Sequence, residues 1–184
     1  MIALLNRLNI SKLFFILFFF ILLSQNCHST NSSIKDKAIN KIVDNEIWEP
    51  IIILYRSEQK VIKATSKKLY KDKQQLARLV GNVEIDMYDD GKHISVLYSD
   101  SAQINERNNN LIASGNVIVV SDSGYTLRTN KINWDNSYKL ITAEDSVMFT
   151  TSEKDTLYGI GFESDSDLEE WRIFKPVGIT RSGI

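Results

Sequence analysis

Cysteine and histidine are scarce in this chain, which has one cysteine and two histidines among 184 residues. A single cysteine excludes an intrachain disulfide, so a folded domain must rely on its hydrophobic core for stability. The cysteine is Cys27, and the histidines are His28 near the N-terminus and His93 in the body of the chain. These residues are too few to assemble a Cys/His metal cluster. We therefore predict neither a bound metal nor a cofactor.

Residues arranged for catalysis are also missing. His93 stands in an alternating run typical of a strand, which favours a solvent-facing residue over a catalytic base. Gly159-Ile160-Gly161 lacks the third glycine and the following helix of a phosphate-binding loop. The aspartates near predicted turns lack the regular spacing of a calcium loop, and turn formation accounts for them. We predict no catalytic residues and no enzymatic activity.

Neither sign of charge is in large excess, because the chain has 22 lysines and arginines and 23 aspartates and glutamates. No basic stripe with interleaved aromatic residues is present, so nucleic acid is not an expected partner. Beyond the N-terminal segment about 155 residues remain, which suffices for one domain with a real core. The composition is that of an ordinary domain with a mixed-charge surface.

The N-terminus carries the one long apolar run. Arg7 and Lys12 precede an uninterrupted apolar stretch from residue 13 to residue 23, and polar residues begin at Ser24. This order is typical of an export signal. Counting back to Leu8 gives a segment close to the length of a membrane-spanning helix, so a retained anchor is the other interpretation. We predict a signal peptide or membrane anchor in residues 1–27.

Cys27 lies just beyond the apolar run, where a lipoprotein signal would place its lipid. The residue directly before it, Asn26, departs from the small residue that such signals favour there, so acylation and an unmodified thiol both stay open. Residues 28–47 are polar, with apolar residues too thinly spaced for a core, and are predicted to tether the domain to the membrane. The domain itself is expected to cover residues 48–184.

An internal repeat is the strongest pattern in the chain. Gly81-Asn82-Val83 recurs as Gly115-Asn116-Val117 after 34 residues and as Asp145-Ser146-Val147 after 30 more. We interpret these as strand openings. After a turn, each unit continues with a second strand and a third element, and a weaker unit precedes them. The second strands contain Leu97, Leu127 and Leu157, the third elements Ala102, Ile132 and Phe162, and the weaker unit Ala64, Ser66 and Leu69.

The remaining signals are also those of a β protein. Residues 51–55 read as a first strand, and Asp90-Gly91 and Ser123-Gly124 as tight turns. Helical propensity is confined to residues 67–79 and 165–171, too short for a secure helix. Alternation gives the units one shared apolar face, which fits an open groove or a filled core equally well.

Two further stretches have a distinctive order of residues: 124–134 (GYTLRTNKINW), and 159–165 (GIGFESD) with Leu168 and Trp171 after them. The first is similar to the Gly-x-x-Leu-x-Thr-x-x-Leu-x-Trp stretch of the LptC family of lipopolysaccharide-export proteins, and the second is similar to a later stretch of that family. Two Gly-Asn-Val segments, an N-terminal anchor and a length near 180 residues complete the likeness. It covers roughly residues 50–175, and its specificity comes from the order and spacing of the motifs together.

The resemblance implies an all-β fold, an open twisted β-jellyroll of repeated antiparallel strand-turn-strand units preceded by an N-terminal signal or anchor helix. It implies that the chain receives lipopolysaccharide from an inner-membrane ABC transporter and passes it along a periplasmic bridge of similarly folded domains joined by edge-strand pairing. The protein would sit at the periplasmic face of the inner membrane, held by its N-terminus. The lipid-binding groove would be lined by Val83, Ile85, Leu97, Val117, Val119, Leu127, Val147, Phe149 and Leu157.

A second function fits the repeat pattern alone. Stacked β units also build exported, non-catalytic scaffolds or adhesion proteins. A scaffold should fill its inner face tightly, whereas a transfer protein should admit a lipid-sized ligand. The two functions therefore differ in what the interior can accept.

Overall fold

The computed structural model describes residues 45–71 and 76–181, and these form an all-β, open antiparallel sheet. Within these ranges no helix is present. The strands are β1 (Asn45–Trp48), β2 (Ile51–Arg56), β3 (Gln59–Thr65), β4 (Lys68–Lys71), β5 (Leu76–Asp89), β6 (Lys92–Asn105), β7 (Asn110–Ser121), β8 (Thr126–Asp135), β9 (Leu140–Thr150), β10 (Thr156–Asp165) and β11 (Trp171–Thr180).

The strand order follows the chain from β5 to β11, with each strand antiparallel to the next. The first four strands join the other edge of β5 in pairs. β4 pairs with the beginning of β5 and β3 with its end, while β1 pairs with β4 and β2 with β3. β1 with β2, and β3 with β4, therefore each act as one strand interrupted by a bend. Within the described chain, β1 and β2 form one sheet edge and β11 the other.

The long strands are bent at their middle, and the repeated Gly-Asn pairs produce two of these bends. Gly81 and Asn82 have φ of 79° and 49°, and Gly115 and Asn116 have φ of 81° and 47°. The register shifts at both places, as it does at a β-bulge. The interpretation of these pairs as strand openings is therefore wrong: β5 and β7 run through them. Sequence alone misleads here because glycine and asparagine also form the left-handed turns that end strands.

The line of bends divides the sheet into two layers that face one another. We call them the first and the second layer. The first layer contains β1, β4 and residues 76–80, 101–105, 110–114, 131–135, 140–144, 161–165 and 171–174; the second contains β2, β3 and residues 83–89, 92–99, 117–121, 126–129, 146–150, 156–160 and 175–180.

A serine at the bend supports the weaker unit that precedes the other three units of the repeat. The hydroxyl of Ser99 donates to the carbonyl oxygen of Ser101 at 3.0 Å, and Ser66 donates to Lys68 in the same way at 2.9 Å. β3 with β4 therefore repeats the bend of β6. The weaker unit predicted from Ala64, Ser66 and Leu69 is confirmed.

The predicted turns and the predicted first strand are confirmed. Asp90 and Gly91 connect β5 to β6 with φ of 46° and 77°, which matches the backbone twist of a two-residue hairpin. Ser123-Gly124 connects β7 to β8, and β2 covers the expected first strand. In the two weakly helical stretches, the described residues 67–71, 76–79 and 165–171 form strand and turn instead, because β pairing and burial override a short local propensity.

The predicted N-terminal features lie outside the described residues. They are the signal or anchor in residues 1–27, its helix, Cys27 and most of the polar tether. β1 begins at Asn45, three residues before the expected start of the domain at residue 48. In the described chain, no helix has the length and apolar character needed to cross a membrane.

Candidate functional site

A row of apolar side chains crosses the inner face of the second layer. Its members stand directly opposite one another on neighbouring strands, so they share one face of the sheet. The row begins at Ile52 in β2 and ends at Ile179 in β11, the two edge strands. Between them it consists of Ala64, Ile85, Leu97, Val119, Leu127, Phe149 and Leu157.

The nine residues predicted for the groove all lie in the second layer. Six of them belong to this row, and Val83, Val117 and Val147 lie nearer to the bend. Eight of the nine are buried, with at most 4% of their surface exposed, while Leu157 is partly buried against the same cluster. The structure thus brings the nine together on one inward face. Their contact with lipid stays a prediction.

The first layer supplies a second set of buried side chains that the groove prediction did not include. Leu79, Ala113 and Ile132 are fully buried and belong to the same cluster as the second-layer row. The thirty-residue repeat could have identified this first-layer set. Leu111 and Ile141, for example, are thirty positions apart and both buried. The interior is therefore lined from both sides.

Aromatic rings connect the two layers. Phe149 in the second layer lies 5.1 Å from Phe162 and 4.7 Å from Trp171, measured between ring centroids, and both partners belong to the first layer. Tyr125 stacks on Phe149 at 5.9 Å. Tilted contacts at these separations add to the stabilisation that burial alone provides. Phe149 is thus the side chain through which the layers pack most directly.

Turns from both layers meet at one end of the interior, which we call the rim. The second layer contributes turns 57–58, 90–91 and 122–125, and the first layer contributes turns 136–139 and 166–170. A cavity of about 300 Å³ lies at the rim. Its walls include Met87, Ile94 and Trp134 together with charged side chains from the turns, and none of the nine predicted groove residues lines it.

One buried hydrogen bond joins the layers on one side of this cavity, and two more fix its acceptor residue within the first layer. The hydroxyl of Ser95 in β6 donates to the carbonyl oxygen of Ser166 at 2.7 Å. The indole Nε1 of Trp134 donates to the Ser166 hydroxyl at 2.8 Å, and that hydroxyl donates to the carbonyl oxygen of Lys139 at 3.0 Å. Because buried polar groups are costly to leave unpaired, Ser166 holds this side of the rim firmly.

More exposed contacts join the layers elsewhere on the rim. Arg56 Nη2, at the end of β2, donates to the carbonyl oxygen of Asn136 at 2.8 Å. Lys139 pairs with Asp89, and both side chains are more than two-fifths exposed. The interior is thus closed by turn-to-turn contacts of two kinds, buried and exposed.

The histidine of the domain lies on the outer side of the sheet. His93 Nδ1 is 2.9 Å from both carboxylate oxygens of Asp122, and its Nε2 is 3.6 Å from Asp86. Asp86 also accepts a hydrogen bond from Lys63 at 3.2 Å, which raises the pKa of that lysine. The partly exposed ring lies beside two surface carboxylates, in keeping with the solvent-facing position predicted for it.

Large apolar side chains are exposed along both sheet edges. On the β1 and β2 edge, Trp48 and Ile51 are each 67% exposed. On the β11 edge, Val177 is 75% exposed and Ile179 is 62% exposed. An edge strand offers unpaired backbone groups, and exposed apolar residues beside them favour pairing with another chain. Both edges therefore have the character of docking surfaces.

An antiparallel sheet folded over an apolar interior, with its two edges unpaired in the described chain, makes this protein a β-jellyroll. Its residues 60–180 match the family model described as "Lipopolysaccharide-assembly, LptC-related". The chain belongs to the LptC family, as the sequence motifs indicated. No curated protein matches the chain.

Family membership gives the chain a role in lipopolysaccharide transport. LptC proteins are non-catalytic transport components, which is consistent with the expectation that this chain is not an enzyme. The family is associated with the periplasmic side of the inner membrane. The partners that the family implies in general are lipopolysaccharide and the components of its transporter.

Proposed function

We propose that this protein receives lipopolysaccharide from an inner-membrane ABC transporter and passes it along a periplasmic bridge of similarly folded domains. The observation that carries the proposal is the apolar row of the second layer. It runs in register from Ile52 in one edge strand to Ile179 in the other. The row is buried between the layers, so the layers must separate before a lipid moving between domains joined at their edges can follow it as a continuous apolar path.

Acyl chains need such a path because water opposes their transfer between membranes. Each methylene shielded from water contributes about 0.8 kcal/mol. The predicted groove residues are aliphatic or aromatic, and Phe149 and Leu127 face one another across β8 and β9 without a charged side chain between them. Contact with these side chains would replace the contacts that the acyl chains lose on leaving the bilayer.

The edges are the proposed attachment points for neighbouring domains. β11 has no partner on its outer side within the described chain, and its exposed residues Phe174, Val177 and Ile179 are apolar. A strand from a similarly folded domain would complete the backbone hydrogen bonds and cover these side chains. The β1 and β2 edge offers the same chemistry.

The N-terminal segment completes the proposal. Residues 1–27 would direct the protein to the periplasmic face of the inner membrane and hold it there, either as a retained anchor or through a lipid on Cys27. Residues 28–47 would tether the domain to that point. Such a position would place the domain beside the transporter that releases the lipid.

Site-specific photo-crosslinking in growing cells tests the lipid contact. A photo-reactive residue at Val119 or Phe149, on the inner face, should capture lipopolysaccharide. The same residue at Ile118 or Met148 should not, because these neighbours lie on the opposite face of the same strands. Folded protein at normal levels without a crosslink at either inner position would favour the alternative function, an exported β-repeat scaffold or adhesion protein.

Co-purification tests the edge contact separately. Val177→Asp places a charge on the β11 edge and should release a bridge partner that co-purifies with the unaltered protein. Tyr138→Asp is the matched control, because Tyr138 is an 81% exposed aromatic residue in a turn. Equal recovery of the partner with both variants would exclude this edge as the attachment point.

A further inference from the structure

The contacts that close the rim differ in strength from one side to the other. On the side of β6 they are buried, as in the Ser95–Ser166 hydrogen bond. On the side of the β2 edge they consist of the Lys139–Asp89 ion pair and the Arg56 hydrogen bond to the Asn136 carbonyl. These last two contacts form what we call the latch.

The ion pair is the weaker contact of the latch. It is exposed to solvent, which screens its charges, whereas the Arg56 hydrogen bond is partly buried and its acceptor residue Asn136 is 3% exposed. Both contacts reach the turn 136–139, and this turn is anchored because the Ser166 hydroxyl donates to the Lys139 carbonyl oxygen and the Asn136 side-chain amide donates to the Asn108 carbonyl oxygen. Opening of the latch would therefore move the second layer away from a fixed turn of the first layer.

On the second-layer side the latch joins the ends of two strands, because Arg56 is the last residue of β2 and Asp89 is the last residue of β5. β2 pairs only with β3 among the described strands, and a strand at the edge of a sheet moves more easily than a strand paired on both sides. The body of β3 is held in the core, where Ile62 and Ala64 are fully buried. The turns 57–58 and 90–91, which follow β2 and β5, are therefore the parts of the second layer best able to move away from the first layer.

The latch also stands directly in front of the interior. The cavity of about 300 Å³ is lined by the latch residues Arg56, Asp89, Asn136 and Lys139 and by the buried side chains of Met87 and Trp134. Its size is at the lower limit of a small-molecule pocket, which is about 300–1,000 Å³. Behind it the apolar side chains are fully buried, so a lipid with several acyl chains requires the layers to separate.

We propose that the Lys139–Asp89 and Arg56–Asn136 contacts are a latch that closes the interior to lipid, and that their release lets the second-layer turns 57–58 and 90–91 move away from the first layer to admit acyl chains. The proposal rests on the proposed lipid-transfer function. The cavity behind the latch is then the vestibule through which an acyl chain first reaches apolar side chains. The Ser95–Ser166 hydrogen bond keeps the layers joined while the latch opens.

Charge reversal at the ion pair tests the latch. Lys139→Asp places two aspartates opposite one another, and aspartate suits the positive φ of 53° at this position. The full chain in lipid nanodiscs should then bind fluorescently labelled lipopolysaccharide up to about fivefold faster in stopped-flow measurements, the factor that corresponds to about 1 kcal/mol. Adding Asp89→Lys restores the pair in reverse and should restore the slower rate.

A matched control separates the latch from a general effect of charge. Lys71 pairs with Glu106 at 2.8 Å, and both residues lie on strands or turns of the first layer. Lys71→Asp should leave the binding rate unchanged. An increase of similar size in this variant, or a failure of the double reversal to restore the rate, would overturn the latch.

Amide hydrogen exchange distinguishes failure of the latch from failure of the proposed function. Lys139→Asp should speed exchange in residues 57–58 and 90–91, whatever the protein binds. Wild-type protein that does not bind the labelled lipid would refute the lipid-transfer function, while the exchange result would still test opening. Binding by every variant at one rate, with exchange also unchanged, would refute the latch alone.

Discussion

The indole of Trp171, at the start of β11, packs against the ring of Phe149 in β9 with 4.7 Å between the ring centroids. The two side chains come from opposite layers of the folded sheet. Phe149 also stands in the apolar row that crosses the second layer, opposite Leu127 on one side and Leu157 on the other. One residue thus belongs both to the packing between the layers and to the proposed lipid path.

This double role predicts a large loss of stability on truncation. Phe149→Ala should lower the free energy of unfolding by about 3–5 kcal/mol, because the side chain is fully buried and its loss leaves a cavity between the layers. Urea denaturation measures the change. Met148→Ala, on the opposite face of the same strand, should cost clearly less, and equal losses would contradict the inward packing of Phe149.

A second prediction concerns the hydrogen bonds of Ser166. Ser166→Ala removes the acceptor of the Trp134 indole, which is 4% exposed, and should lower the free energy of unfolding by about 1–3 kcal/mol. Trp134→Phe removes the donor. In a double-mutant cycle the two changes together should cost less than their sum, because the second leaves no further group unpaired. Additive losses would show that the bond contributes little.

A third prediction concerns the bend of β7. A Cβ at Gly115 would lie 2.4 Å from an oxygen of Asp100 and 2.9 Å from its Cβ, in a backbone with φ of 81°. Gly115→Ala should therefore destabilise the protein by more than the strain of about 1–2 kcal/mol that a left-handed backbone imposes. Gly91→Ala is the matched control, since Gly91 has φ of 77° and no atom within 4 Å of an added Cβ.

The Asp100 side chain provides the decisive comparison at this bend. Asp100→Ala in the Gly115→Ala background should recover part of the loss, because it removes the oxygen that the new methyl group approaches most closely. Thermal unfolding of the variants measures the recovery. If Gly115→Ala and Gly91→Ala cost the same, backbone strain alone explains both and the contact with Asp100 is unimportant.

The sequence predicted the β class, the repeat and the inward face, and these rest on local patterns. Alternation placed Ile85, Leu97 and Phe149 on one face, and pairing in the structure aligns them in one row. The bends were misread, because Gly81-Asn82 has the same composition as a turn. Only the continued pairing of β5 on both sides distinguishes a bend from a strand opening.

The rim contacts could not be predicted from local patterns. Arg56 and Asn136 are 80 positions apart, and Ser95 and Ser166 are 71 apart. Their meeting depends on how sharply the whole sheet folds, a sum over many bends that no short window contains. An open groove and a filled core have the same alternating sequence pattern. Only the structure therefore shows that the inward side chains are buried.

The last prediction concerns pH. Asp167 lines the rim cavity, and burial, together with the hydrogen bond and negative charge of Asp165, raises its pKa above the ordinary value of 3.8. The folded protein therefore holds this proton more tightly than the unfolded chain. The resulting stabilisation is fully present below the unfolded pKa and is lost as the pH rises through the folded pKa. At neutral pH the ionised carboxylate opposes folding.

Asp167→Asn should consequently raise the free energy of unfolding at pH 7 by a modest amount, about 0.5 kcal/mol, as is usual for a partly exposed position. The gain should shrink as the pH falls through the folded pKa toward 3.8, because the wild-type carboxyl is then protonated as well. Urea denaturation at a series of pH values measures both effects. Asp90→Asn, in the exposed β5–β6 turn, controls for the loss of one negative charge. A gain of the same size at every pH would show that Asp167 opposes folding through its shape or hydrogen bonds rather than through its ionisation.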